Sequence, residues 1–212
     1  MSEEAARTPR RYSSKRREQQ AAETREAVLG AAAELFGERG WAATGMRDVA
    51  RRAGVAVETV YANFRSKGDL LTAAVDVGVV GDDAPVALAD RPEFAALAVG
   101  DRTQRVAAAA RLIVGIQRRT AGVHHALREA AASDATLAAR LRDDEERRRS
   151  SVEQGLALVA GRAVSARERD GLWAVLSMEV YRLLTEQAGW TDKQYEAWVA
   201  DVVLRLVDDT SP

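Results

Sequence analysis

Apolar residues recur at three- and four-residue steps along most of the chain, which places them on single faces of helices. The first such stretch begins near Glu18 and carries Val28, Ala31, Ala32, Leu35 and Phe36 on one side. Gly37 and Gly40 punctuate its end, since glycine suits a C-terminal cap. Thr44 then stands as the N-cap of a short second helix, Met46–Arg52. After Gly54 a third short helix starts around Val57, with Val60 and Phe64 spaced to face inward. Ser66 caps a fourth, from Lys67 to about Val80, which the run from Gly81 to Pro85 stops.

Residues 81–103 are the least periodic stretch, acidic and holding Pro85 and Pro92, and read as a long loop with at most a short helical turn. Helical spacing returns from about Thr103. It predicts a fifth helix over Thr103–Arg119, a sixth over His124–Ala132 and a long seventh, capped by Ser133, to about Val159. An eighth, capped by Ser165, extends to Ala188, where Gly189 ends it. A ninth covers Asp192–Val207 behind Thr191. Residues 1–18 have almost nothing to bury and read as a disordered arm. The fold class is all-α, with about nine helices and no internal repeat.

Composition agrees with this pattern. Among 212 residues there are 4 prolines, and the long Ala, Leu, Val, Arg and Glu stretches favour helix over strand. The length suits one large domain or two small ones. The absence of cysteine rules out disulfides and cysteine-ligated zinc or iron–sulfur sites, and fits a reducing cytoplasm. A charged N-terminus without an apolar run behind it is no secretory signal. No uninterrupted run of about 18 apolar residues exists, so no membrane partner is expected.

The net charge of −1 conceals an asymmetry. Residues 1–68 hold 13 Lys and Arg against 9 Asp and Glu, whereas residues 69–212 hold 18 against 23. Arg7–Arg17 contains six basic residues and no acid: Arg7, Arg10, Arg11, Lys15, Arg16 and Arg17. A basic front on an acidic body points to a polyanionic partner, although alone such a run also reads as a solvated tail.

The informative stretch is Thr44-Gly-Met-Arg-Asp-Val-Ala-Arg-Arg-Ala-Gly-Val-Ala-Val-Glu-Thr-Val-Tyr-Ala-Asn-Phe64. Two short helices are joined at Gly54, where the turn needs a backbone angle that only glycine adopts cheaply. Ala50 is small where the helices cross, and Val49, Val55 and Val60 supply apolar contact. This is a helix-turn-helix over 45–64, whose second helix enters the major groove of double-stranded DNA.

With its flanks, this segment resembles the tetracycline-repressor (TetR) family. The resemblance begins at Thr24-Arg25-x-x-Val-Leu-x-Ala-Ala-x-x-Leu35-Phe36-x-x-Arg39-Gly40-Trp41-x-x-Thr44. It continues through Arg47-Asp48-Val49-Ala50-x-x-Ala53-Gly54-Val55 and Thr59-Val60-Tyr61-x-x-Phe64-x-Ser66-Lys67-x-x-Leu70-Leu71. Behind the basic arm over 1–18, it implies a three-helix DNA-binding domain over 22–82 and an effector-binding and dimerisation body over 83–212.

Arg47, Val57, Glu58, Thr59 and Tyr61 are the expected base-reading set. Thr44, Asn63 and Lys67 are the expected phosphate contacts. The basic arm would add Arg10, Arg11, Lys15, Arg16 and Arg17 along the backbone or minor groove. Arg51 and Arg52 read equally as phosphate contacts or as solvated side chains, and Tyr61 has a packing role as its alternative. The chain departs from the family pattern at Gly45, where Ser, Thr or Val is more usual. It departs again at Ala62 and Asn63, where an aromatic and a histidine are more common.

The last two helices resemble a subgroup frequent in high-GC actinobacterial sequences, through Gly171-Leu-Trp173-Ala-Val-Leu-Ser177-x-Glu179-x-Tyr181-x-Leu-Leu184 and Gly189-Trp190-Thr191-x-x-x-Tyr195-x-x-Trp198. In that family these helices pair about a two-fold axis. Trp173, Leu176, Val180, Leu184, Tyr195, Val199 and Val202 are candidates for a homodimer interface, with intrachain core as the alternative. Gln117, Met178 and Tyr181, with Arg118 and Arg119 nearby, are candidates for the pocket of an unknown small-molecule effector.

No catalytic residue, metal set or cofactor is assigned. His124 and His125 are adjacent, about 100° apart on a helix, and poorly placed to share one metal ion. There is no phosphate loop or Gly-x-Ser-x-Gly elbow. The chain reads as a cytoplasmic, nucleoid-associated regulator, a ligand-released repressor on a palindromic operator. An activator or a non-specific DNA binder of the same fold is the alternative.

Overall fold

The computed structural model describes residues 10–208, with side chains over 16–207. Among these residues there is no strand, and nine helices carry the architecture. They are α1 (Arg10–Arg39), α2 (Met46–Ala53), α3 (Val57–Asn63), α4 (Lys67–Val80), α5 (Arg102–Ala131), α6 (Ala135–Ala160), α7 (Ala166–Val175), α8 (Met178–Arg182) and α9 (Asp192–Asp208). A π-helical turn, Leu183–Gln187, extends α8. A single helical turn, Pro92–Ala95, interrupts the predicted loop between two 3-10 turns. No helix among the described residues is long and apolar enough to cross a membrane.

Helix α1 starts at Arg10, so the arm expected to be disordered to residue 18 is helical from 10 onward. Residues 1–9 of that arm lie outside the described residues, as do the side chains of Arg10, Arg11 and Lys15. Elongation from a helix already formed is cheap, and Arg, Lys, Gln, Glu and Ala are strong helix formers. Gln19 Nε2 donates to Glu23 Oε1 at 3.0 Å, an i,i+4 pair that supports this extension.

The count of nine matches the expectation, but two boundaries move. The predicted fifth and sixth helices are one 30-residue helix, α5. Gly122 lies inside it, where α1 crosses at Gly37. Gly37 likewise sits within α1, and Gly40, at φ 73°, is the residue that ends it. The predicted eighth helix, in turn, is split at Leu176–Ser177 into α7 and α8. Ser177 Oγ accepts from Val180 N at 3.3 Å, and Gln117 Nε2 donates to the Leu176 carbonyl at 2.9 Å. These bonds satisfy polar groups that a break would otherwise orphan.

Capping also differs in one place. Asp134, not Ser133, caps α6, its Oδ1 accepting from Thr136 N at 2.8 Å and Leu137 N at 3.1 Å. A carboxylate there gains from the helix dipole as well as from the bonds.

Two apolar cores result. The first gathers Val28, Leu35 and Phe36 of α1, Val49 of α2, Val60 of α3 and Leu70 and Leu71 of α4. Its remaining wall comes from Val123, Ala126, Leu127 and Ala130 at the end of α5, with Leu137 of α6. The second core fills the body, around Val106, Val114, Leu156, Leu172, Tyr195, Val199 and Val203. Helix α5 therefore runs through both, and the division expected at residues 82 and 83 is bridged by packing.

Candidate nucleic-acid interface

Helices α2 and α3 meet across Gly54, which has φ 69° and ψ 28°, the left-handed conformation the turn requires. Met46, Val49 and Ala50 bury one side of α2, while Val60 and Phe64 bury one side of α3. Their apolar contacts fix the angle between the helices and leave the opposite surface polar.

Helix α2 begins without a capping side chain, since Gly45 is its N-cap. Asp48 compensates, accepting the Gly45 N–H at 3.2 Å. The Asp48 carboxyl is held below its ordinary pKa, chiefly by its hydrogen bond from Arg51. Arg52 reaches back to α1, at 2.7 Å from Glu34 and 3.6 Å from Glu38. Both arginines are thus engaged with the fold.

The free surface carries Arg47, Glu58 and Tyr61. All three are exposed, Tyr61 at 53%, and none has a hydrogen-bond or ion-pair partner among the described residues. Thr59 is half-buried on the same short helix. Val57 packs partly against the core, which limits it to apolar contact. Asn63 Nδ2 donates to the Thr59 carbonyl at 2.8 Å, closing its own helix. Arg65, just beyond α3, is exposed without a partner among the described residues and was not singled out from sequence. A basic residue immediately after Phe64 was the available signal.

Two expected phosphate contacts sit differently. Thr44 is 2% exposed, and its hydroxyl lies 3.0 Å from the Leu35 carbonyl and 2.9 Å from that of Gly40. It ties the end of α1 to the start of α2, so the phosphate role read from sequence does not fit its position. Lys67 lies over the Trp41 ring, 4.0 Å from its centroid, and donates to the Trp41 carbonyl. Burial against that ring lowers its pKa. Arg16 and Arg17 extend along the first turns of α1, exposed.

In the body, Gln117, Met178 and Tyr181 are brought together, but as packed core. Thr120 Oγ1 donates to the Ile116 carbonyl at 2.7 Å and lies 3.4 Å from Met178 Sδ, and Tyr181 OH donates to Asp192 Oδ1 at 3.2 Å. Tyr181 stands edge-on to Tyr195, with ring centroids 5.1 Å apart. Burial, first of all, pushes both phenols up to about 12.

Among the interface candidates, Leu176, Tyr195 and Val199 are intrachain core, at 4% exposed or less. Trp173, Val180, Leu184 and Val202 are half-buried. Trp173 lies under the Arg148 guanidinium, 5.0 Å away. Val175, Leu183 and Leu204 are more exposed than any of the candidates and were not among them. On α7 and α9 an inward and an outward apolar residue alternate too closely for spacing to separate them.

An all-helical chain that presents a helix-turn-helix on one end has the architecture of a DNA-binding regulator. Residues 28–74 match the family described as bacterial regulatory proteins, tetR family. No curated protein matches the chain in sequence. Solved structures are similar at low identity. A transcriptional regulator from Rhodococcus sp. RHA1 has a TM-score of 0.63 at 20% identity, over 89% of this chain and 99% of that one. A TetR-family member from Streptomyces coelicolor A3 gives 0.57 at 21%, over 86% and 97%. FadR from Bacillus subtilis, in complex with stearoyl-CoA, gives 0.60 at 17%, over 87% and 98%.

Proposed function

We propose that the protein is a ligand-released repressor that binds a pseudo-palindromic operator as a homodimer. The observation that carries this reading is the unpartnered polar face of α2 and α3, with Arg47, Glu58 and Tyr61 exposed beside the Gly54 turn. Arg47 reads a guanine edge or a phosphate, Glu58 accepts from cytosine N4 and Thr59 meets a thymine methyl. Asn63, Lys67 and Arg65 hold the phosphate backbone, and the basic start of α1 extends the footprint.

Two such faces must be one helical turn apart to occupy successive major grooves. Val175, Leu183 and Leu204, with half-buried Val180, Leu184 and Val202, supply the apolar surface for a two-fold partner. An effector in the body favours a conformation that spaces the two faces wrongly, so DNA is released. The stearoyl-CoA held by FadR, on the same fold, supports a small-molecule role for the body.

The test is footprinting on genomic fragments with purified protein. Protection of one palindromic sequence, relieved by a cellular small molecule, is the expected result. Equal affinity for every duplex, decaying only with salt, sinks the reading in favour of non-specific binding. Transcription in vitro from the protected promoter separates repression from activation.

A further inference from the structure

A cavity of about 450 Å³ is bounded by the last turn of α4, segment 81–96 and one side of α5. On α5 its wall is Ala108, Arg111, Leu112, Gly115 and Arg119, whose steps of three and four bring them to one face. The volume is within the range of small-molecule sites. Gln117 points into the core instead, so this cavity is separate from the cluster around Met178 and Tyr181.

The polar groups of the cavity are unevenly matched. Arg91 and Asp82 hold each other through two bonds, at 2.7 and 2.8 Å, and the Arg91 side chain is only 12% exposed. Arg111 has no hydrogen-bond or ion-pair partner among the described residues. Arg119 has no carboxylate partner. Its Nε donates to the Gly78 carbonyl at 2.9 Å and its Nη2 to that of Val79 at 3.4 Å. Both carbonyls belong to the last turn of α4, where a cation is favoured by the helix dipole.

Gly81 and Gly115 flank the Arg119 guanidinium, and a side chain at either would meet it in ordinary van der Waals contact. A Cβ on Gly81 would stand 3.8 Å from Arg119 Cζ, and one on Gly115 3.4 Å from Nη1. Burial lowers the Arg119 pKa, as expected of a guanidinium bonded only to neutral carbonyls. In the lining, three arginines against Asp82 and Glu93 leave one net positive charge.

We propose that this cavity binds a small amphipathic organic anion, a carboxylate or a phosphate ester, with its charged end on Arg111 and Arg119 and its apolar end on Val80, Leu88 and Leu112. A charged acceptor bonds a guanidinium more strongly than a carbonyl does, so the anion draws Arg119 away from Gly78 and Val79. The last turn of α4 then loses its tie to α5, and α4 is the helix that leads out of the DNA-binding domain. The inference rests on the ligand-release reading above and gives it a ligand class and a route.

The test uses the full chain with 8-anilinonaphthalene-1-sulfonate and its uncharged parent, N-phenyl-1-naphthylamine, titrated by fluorescence. The sulfonate is expected to bind, and Arg111→Met and Arg119→Met each to weaken it about tenfold or more. Affinity for the neutral dye stays within about twofold, because the apolar wall is intact. Octanoate and octyl phosphate should displace the sulfonate where 1-octanol at equal concentration does not, and the better competitor identifies the head group. Arg111 bonds nothing in the fold, so its variant keeps the test valid if Arg119→Met misfolds. Unchanged sulfonate binding in Arg111→Met, or displacement by octanol as good as by octanoate, overturns the proposal. Adding octanoate to the operator complex separates the two readings. Anion binding that needs the arginines but never changes DNA affinity leaves the site standing and ends the release mechanism. Release by a neutral compound that Arg111→Met leaves intact does the reverse.

Discussion

Gly37 of α1 and Gly122 of α5 touch backbone to backbone, and the contact is one-sided. A Cβ built on Gly122 would stand 2.6 Å from Gly37 Cα, whereas one built on Gly37 clears Gly122 Cα by 3.8 Å. Gly37→Ala is therefore expected to be neutral or mildly stabilising, by up to about 1 kcal/mol, since alanine loses less entropy in a helix. Gly122→Ala should cost about 1–3 kcal/mol, because α1 and α5 must separate. Gly30→Ala, with nothing within 4 Å, serves as the open-space control. Thermal melts of the three variants check the order, and equal Tm values for Gly37→Ala and Gly122→Ala would show that the helices do not cross this closely.

The exposed α2–α3 face makes a separate prediction. Arg47→Ala should weaken operator binding by about 1–3 kcal/mol, the usual worth of a well-formed base contact. Tyr61→Phe removes one hydroxyl and should cost less, about 1 kcal/mol. Neither side chain is bonded within the fold, so melting temperature and oligomeric state should not move. Normal operator affinity in either variant assigns that residue to solvent.

Lys67 faces a choice between two partners. Over Trp41 it has a cation–π contact worth about 0.5–1 kcal/mol; on DNA it would have a phosphate. If it transfers to the backbone on binding, Lys67→Met lowers the salt dependence of operator affinity by about one phosphate contact. Binding isotherms across a salt series measure this slope. A slope equal to wild type restricts Lys67 to holding Trp41.

The short helices of the DNA-binding domain were legible because their signals are local. Gly54 needs a left-handed angle, and Val60 and Phe64 are spaced to one side of α3 whatever surrounds them. Thr44 was misplaced for the opposite reason. Nothing local says that its hydroxyl meets carbonyls at residues 35 and 40. Gly37 misled in the same way, since a helical glycine reads as a stop unless the partner helix is known. The arginine-walled cavity was illegible because it depends on α4, segment 81–96 and α5 meeting. Arg119 stood among the pocket candidates, but its bonds to the Gly78 and Val79 carbonyls depend on how α4 packs on α5.

Glu145 on α6 lies among cations and makes the fold sensitive to acid. His124 Nε2 is 3.5 Å from its Oε1, Arg128 Nη2 3.2 Å, and Arg148 bonds its Oε2 at 3.0 Å. The hydrogen bond with His124, first of all, holds the carboxyl down at about 2, against 4.5 for the free side chain. A depressed carboxylate stabilises the fold fully above the unfolded pKa, and that contribution is lost as pH falls through the folded one. The window is therefore about pH 4.5 down to 2. Because the group is partly buried and its neighbours are shared, its worth is of order 2 kcal/mol. Glu145→Gln should destabilise the protein at neutral pH and flatten its stability profile across that window. Parallel wild-type and variant curves from pH 5 to 2 would show that acid unfolding comes from other carboxylates.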